Sequence, residues 1–123
     1  MATLADRVYD SGLGILNSEV NRLDICSQEP ATYTEATSTY SLGNKTSPTV
    51  SSPADRSGGG REVTVSAISD GSVTATGTAT HFALVDTNNS RLLVTGALDS
   101  SESVTNGNTF TLTEFTIGIP DPA

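Results

Sequence analysis

Thr80-His-Phe-Ala-Leu-Val-Asp-Thr-Asn-Asn-Ser-Arg-Leu-Leu-Val-Thr-Gly96 is the stretch whose reading decides the fold. Two apolar runs rich in β-formers flank Asp86 to Ser90, a cluster of residues that favour turns. That arrangement predicts a hairpin with a loop of several residues. Side chains alternate along a strand, so Phe82 and Leu84 share one face and His81, Ala83 and Val85 share the other. Neither face is strongly polar. Such a strand is expected to be central and covered on both sides, as in a sandwich.

Toward the C-terminus, Asp99 to Glu102 reads as a polar loop and Asn106-Gly107 as a tight turn. In the last strand Phe110 and Leu112 stand at even positions, whereas Phe115, Ile117 and Ile119 stand at odd ones. A β-bulge near Thr113-Glu114 would absorb the extra residue. Toward the N-terminus, Val73, Ala75 and Gly77 alternate with threonines, and Val63, Val65 and Ala67 alternate with Glu62, Thr64 and Ser66. Asp70-Gly71 between them reads as a hairpin turn. From Asn44 to Gly60 periodicity lapses, and Pro48, Pro53 and Gly58-Gly59-Gly60 punctuate a polar segment. Segments this long without a pattern are uncommon in a compact domain, so 44–60 is expected to be an extended loop or arm reaching a neighbour.

Earlier still, Tyr33, Ala36 and Tyr40 have the spacing of a short helical turn. Arg22 to Gln28 alternates Leu23 and Ile25 against Asp24 and Cys26, a half-buried strand ended by Pro30. Leu13 to Leu16 reads as an extended apolar run. Thr3 to Asp10 opens like a capping box, with Leu4 and Val8 on one face of a short helix and Gly12 as its stop. The fold expected is therefore mainly β: one domain over 1–123, an antiparallel, jelly-roll-like β-sandwich with a short N-terminal helix and a long polar arm. Its strands lie near 22–28, 62–68, 72–78, 80–86, 91–98 and 109–119, with Phe82, Leu84, Leu92, Val94, Phe110 and Leu112 at the heart of the core.

The core must rest on aliphatic residues, because only 5% of the 123 residues are aromatic and none is Trp. A net charge of -8, with Lys45 the only lysine, would be repelled by a phosphate backbone, which argues against nucleic-acid binding. No basic amphipathic segment points to a membrane surface, and no apolar run approaches the roughly 20 residues of a span. Cys26 is the single cysteine, so no internal disulfide can form and a reducing cytoplasm is the expected compartment. The N-terminus lacks the basic start and apolar run of a signal peptide, so a soluble product is expected.

The candidates for chemistry are few. His81 is the sole histidine and Cys26 the sole thiol, too small a set for a zinc site. Cys26 could act as a nucleophile only with His81 as its base, and no family-specific signature surrounds either. Asp86-Thr-Asn88-Asn-Ser90 resembles the opening of a calcium loop, but Arg91 stands where the turn glycine belongs and Ala97 where the bidentate Glu belongs. The three glycines at 58–60 lack the Lys and Ser/Thr of a phosphate loop. No catalytic residue, metal or cofactor is expected.

Arg22-Leu-Asp-Ile-Cys-Ser-Gln-Glu-Pro-Ala-Thr-Tyr-Thr-Glu-Ala36 resembles the early strand and Pro-containing turn of small virion proteins of tailed bacteriophages. Ala79 to Asp86, Arg91 to Leu98 and Val104 to Leu112, in that order, resemble their C-terminal half. The resemblance implies a non-enzymatic structural protein, a capsid decoration or cement subunit assembled in the host cytoplasm and carried on the virion. Its partners would be the major capsid protein or other virion proteins, together with copies of itself. A neck, tail or tail-fibre component is the alternative, and a glycan-binding β-module a further one, although Tyr9, Tyr33 and Tyr40 all precede the sandwich strands from 62 onward. Lys45, Arg56 and Arg61, in or beside the polar arm, are the expected partner contacts.

Overall fold

Antiparallel strand pairing organises the molecule. The computed structural model describes residues 6–120, with side chains from residue 11, so Thr3 and Leu4 lie outside the described residues. Helix α1 (Asp6–Glu19) is followed by β1 (Arg22–Cys26), a π-helical turn (Glu35–Thr39) and β2 (Ser41–Thr46). Then come β3 (Ala54–Asp55), β4 (Arg61–Val65), β5 (Ile68–Val73), β6 (Gly77–Asp86), β7 (Arg91–Val104), β8 (Thr109–Leu112) and β9 (Phe115–Ile119). Six strands form one sheet in the order β7-β6-β1-β2-β5-β8, and three form a second in the order β3-β4-β9.

The central hairpin forms as its sequence predicts. β6 pairs with β7 from Asp86↔Arg91 back to Gly77↔Val104, and β6 lies between β7 and β1. Phe82 and Leu84 contribute to the main core, whereas Ala83 and Val85 join Cys26 and Ala36 in a second cluster on the opposite face. That second face is covered by the 33–40 segment, where Tyr40 N–H donates to the Glu35 carbonyl five residues back at 2.9 Å. The short helical turn expected there is thus a π-turn, and Tyr33 and Tyr40 pack with it on the sheet.

Several expectations are corrected. β7 does not stop for a loop at Asp99: Glu102, Ser103 and Val104 stay paired with Ala79, Thr78 and Gly77. Asp70-Gly71 makes no hairpin turn but lies inside β5, at a register irregularity opposite β8. β4 turns instead to β9, pairing Val63↔Ile117, so β4 and β5 belong to different sheets. The strand expected over 72–78 is interrupted after Val73, where Thr74 and Ala75 N–H both donate to the Leu42 carbonyl. The phase change after Leu112 is no bulge either. At Thr113-Glu114 the chain leaves one sheet for the other, and the core positions change from Phe110 and Leu112 to Phe115 and Ile117.

Gly12 does not end α1. A helical glycine costs about 1 kcal/mol relative to Ala, but Leu13 and Leu16, three residues apart on one face, are 3% and 7% exposed. Burying each contributes roughly 1.5–3 kcal/mol, so burial decides the outcome. The main core also differs in membership. Leu23, Ile25, Leu84, Val63 and Val65 are its most deeply buried side chains, and Phe110 is buried with them. Phe82, Val94 and Leu112 are only half-buried against it, and Leu92 belongs to the second cluster.

Candidate partner-contact surfaces

The segment 44–60 is laid along the body. Asn44, Lys45 and Thr46 complete β2, the buried Val50 forms a bridge to Val65, and Ala54–Asp55 pairs with β4. What projects is the β3–β4 hairpin, exposed at Ala54, Asp55, Ser57 and Gly58. Gly58, Gly59 and Gly60 all have φ near +90°, a backbone region other residues rarely adopt, and here the three glycines are needed for the reversal. Arg61 Nη1 reaches the Asp55 carboxylate at 2.7 Å, and Arg56 Nη1 donates to the Gly59 carbonyl at 3.0 Å. Arg56 and Arg61 therefore share one hairpin. Lys45 is placed elsewhere, on the large sheet, where it pairs with Asp70 at 3.0 Å.

The other candidate residues are engaged in folding contacts. Cys26 and His81 face each other across β1 and β6, yet they make no nucleophile and base pair. The thiol is fully buried and donates to the Ala36 carbonyl at 3.5 Å. Burial, reinforced by the nearby Asp24 charge, pushes its pKa up to about 12, so the nucleophilic thiolate is suppressed. His81 Nδ1 lies 2.8 Å from the Thr80 hydroxyl. In the 86–90 loop, Asp86 accepts from Asn88 N–H at 3.0 Å and from the Asn89 side-chain amide at 2.7 Å. Chiefly through the Asn89 bond, its carboxyl is held below its usual pKa. The carboxylate organises its own turn, and among the described residues no cluster of three or more His, Cys, Asp or Glu is arranged to hold a metal.

One polar group was not singled out by its sequence. Asp24 has no exposed surface; Oδ1 accepts from Arg22 Nε at 2.7 Å, and Oδ2 has no hydrogen-bond partner among the described residues. Desolvation raises its pKa to about 6 against the opposing pull of Arg22. The alternation Leu23-Asp24-Ile25 suggested a solvent face, and the π-turn that covers this face leaves no such periodic signal.

A cleft of about 600 Å³ opens between β7 and the corner where β8 passes into β9. Its apolar lining includes Phe82, Phe115, Leu98 and Leu112, with the two phenylalanine rings 4.6 Å apart and tilted by 48°. Asp99 and Glu102 also line it. No family model matches the chain, and neither the curated proteins nor the solved structures provide a match.

Proposed function

We propose that this chain is a non-enzymatic structural subunit of a tailed-phage virion, a decoration or cement protein seated on the outside of the capsid shell and contacting the major capsid protein. The β3–β4 hairpin is the observation that carries this reading. It is polar and exposed at its tip, and Arg61–Asp55 and Arg56–Gly59 contacts brace it. A loose segment would lose about 1–2 kcal/mol of backbone entropy per residue on docking, and a braced hairpin has met most of that cost on folding. Small contacts of this kind suffice where a lattice repeats them many times. The acidic net charge suits a position away from packaged DNA.

We read the fold as an open β-sandwich of the jelly-roll kind. In support, the main core joins Leu23, Ile25 and Leu84 of the large sheet to Val63, Val65 and Ile117 of the small one. The chain also crosses between the sheets three times, after β2, β4 and β8.

Heads assembled without the protein provide the test. The intact chain is expected to bind them, and replacing Asp55, Arg56 and Ser57 together with alanine is expected to weaken binding about tenfold or more with an unchanged circular dichroism spectrum. Equal binding by the alanine variant would remove the hairpin from the account. Binding of the intact chain to tails and not to heads would overturn the capsid assignment.

A further inference from the structure

The cleft beside β7 is lined by consecutive residues. Positions 97 to 100 of β7 line one side and 111 to 113 the other, with a smaller opening of about 370 Å³ continuing along 102 to 105 and 108 to 111. Successive strand side chains point to opposite faces, so a run of consecutive lining residues means that a strand edge borders the space, with Phe82 of β6 lining it from the core face of the sheet. β7 and β8 are the two outermost strands of the six-stranded sheet, and among the described residues no ladder joins them. The sheet curls until its two edges border a common slot.

The Asn106-Gly107 turn connects β7 to β8, yet it does not close them into a hairpin. Gly107 N–H donates to the Val73 carbonyl, Val73 N–H donates to the Asn108 carbonyl, and Asn106 N–H donates to the Thr76 hydroxyl. These bonds tie the turn to the β5–β6 link and leave an edge of each strand facing the slot. A long open edge is a template for strand addition.

We propose that this slot receives an extended strand from a partner protein, with alternate apolar side chains directed at Phe82, Phe115, Leu98 and Leu112 and with Lys or Arg at the intervening positions. Charge complementarity selects this occupant. Asp99 and Glu102 line the slot, and neither has an ion-pair partner among the described residues. A second copy of the chain is a poorer match, because it carries a net charge of -8 and four of its six cations, Arg22, Lys45, Arg61 and Arg91, are already paired with Asp24, Asp70, Asp55 and Glu19. The inference is independent of the capsid reading and is tested without capsids.

The probe is a capped seven-residue peptide, Thr-Val-Lys-Val-Arg-Val-Thr, titrated into the full chain and followed by amide chemical shifts and calorimetry. Binding is expected, with perturbed amides concentrated at 97–104 and 109–113. A peptide with Glu at both basic positions should bind at least about tenfold more weakly, as should the original peptide to the Asp99→Lys, Glu102→Lys variant. A peptide with Pro in place of its central Val should also lose binding, since strand addition needs that backbone donor. Lack of binding, equal binding of the acidic peptide, or perturbations elsewhere would overturn the proposal. So would sedimentation of the free protein as a dimer through β7, or cross-strand contacts between β7 and β8 in solution.

Discussion

Asp24 has one carboxylate oxygen bound to Arg22 and the other buried without a hydrogen-bond partner among the described residues. Its pKa rises from 3.8 to about 6, so the folded form holds this proton more tightly than the unfolded chain does. The resulting stability is fully present below about pH 4 and is lost as pH climbs through about 6. At about 1.4 kcal/mol per pH unit the swing is on the order of 3 kcal/mol. Asp86 acts with the opposite sign: its carboxyl is held below 3.8, so its contribution is present above that value and lost in stronger acid. Asp24→Asn keeps an acceptor for Arg22 and removes the titration. Denaturant melts of parent and variant at pH 4 and pH 7 should show the variant gaining relative to the parent at the higher pH. A stability difference that stays constant between the two would mean that Asp24 titrates in the folded protein as it does in the unfolded chain.

Two cross-strand pairs set glycine opposite phenylalanine, Gly71↔Phe110 and Gly96↔Phe82. In each pair the ring covers the space where a Cβ would stand. A methyl at Gly71 would overlap the Phe110 ring, and one at Gly96 would come within 2.6 Å of Phe82 Cε1. Phe110 is buried and has nowhere to go, whereas Phe82 is half-buried beside an open cleft and can swing aside. Gly71→Ala should therefore cost about 2–3 kcal/mol and Gly96→Ala less than about 1. Equal losses in chemical denaturation would contradict this account of the two glycines. The same pair explains why Asp70-Gly71 misleads in the sequence: glycine suits a turn and a crowded strand equally well, and the dipeptide does not say which.

Across the whole molecule, period-2 alternation made β1, the β6–β7 hairpin and the opposed faces of β6 legible in the sequence. Which strands share a sheet was not legible, because Val63 and Val65 would alternate identically beside β5 or beside β9. The exchange of phase at Thr113-Glu114 was visible, but a bulge and a crossing between sheets leave the same signature in one sequence. The polar composition of 44–60 concealed a short strand and the buried Val50. The proposed partner surfaces were the least legible. Lys45, Arg56 and Arg61 could be named as scarce cations, but their division between two sheets follows from strand order. The slot beside β7 is made by two edges that only the curl of the sheet brings together.

The π-turn over Cys26 has a use at the bench. The chain's one thiol sits beneath Ala36, protonated and out of reach, so a thiol reagent can consume it only while that cover is lifted. In native buffer the labelling rate then measures how often the 33–40 segment leaves the sheet, apart from any melting of the remainder. Tyr33→Ala strips a side chain from this cover and should speed labelling severalfold while shifting the melting temperature little. A rate unchanged by Tyr33→Ala would mean that Cys26 becomes accessible only when the whole domain unfolds. With labelling followed at increasing denaturant, a single sulfur atom becomes a clock for one patch of the surface.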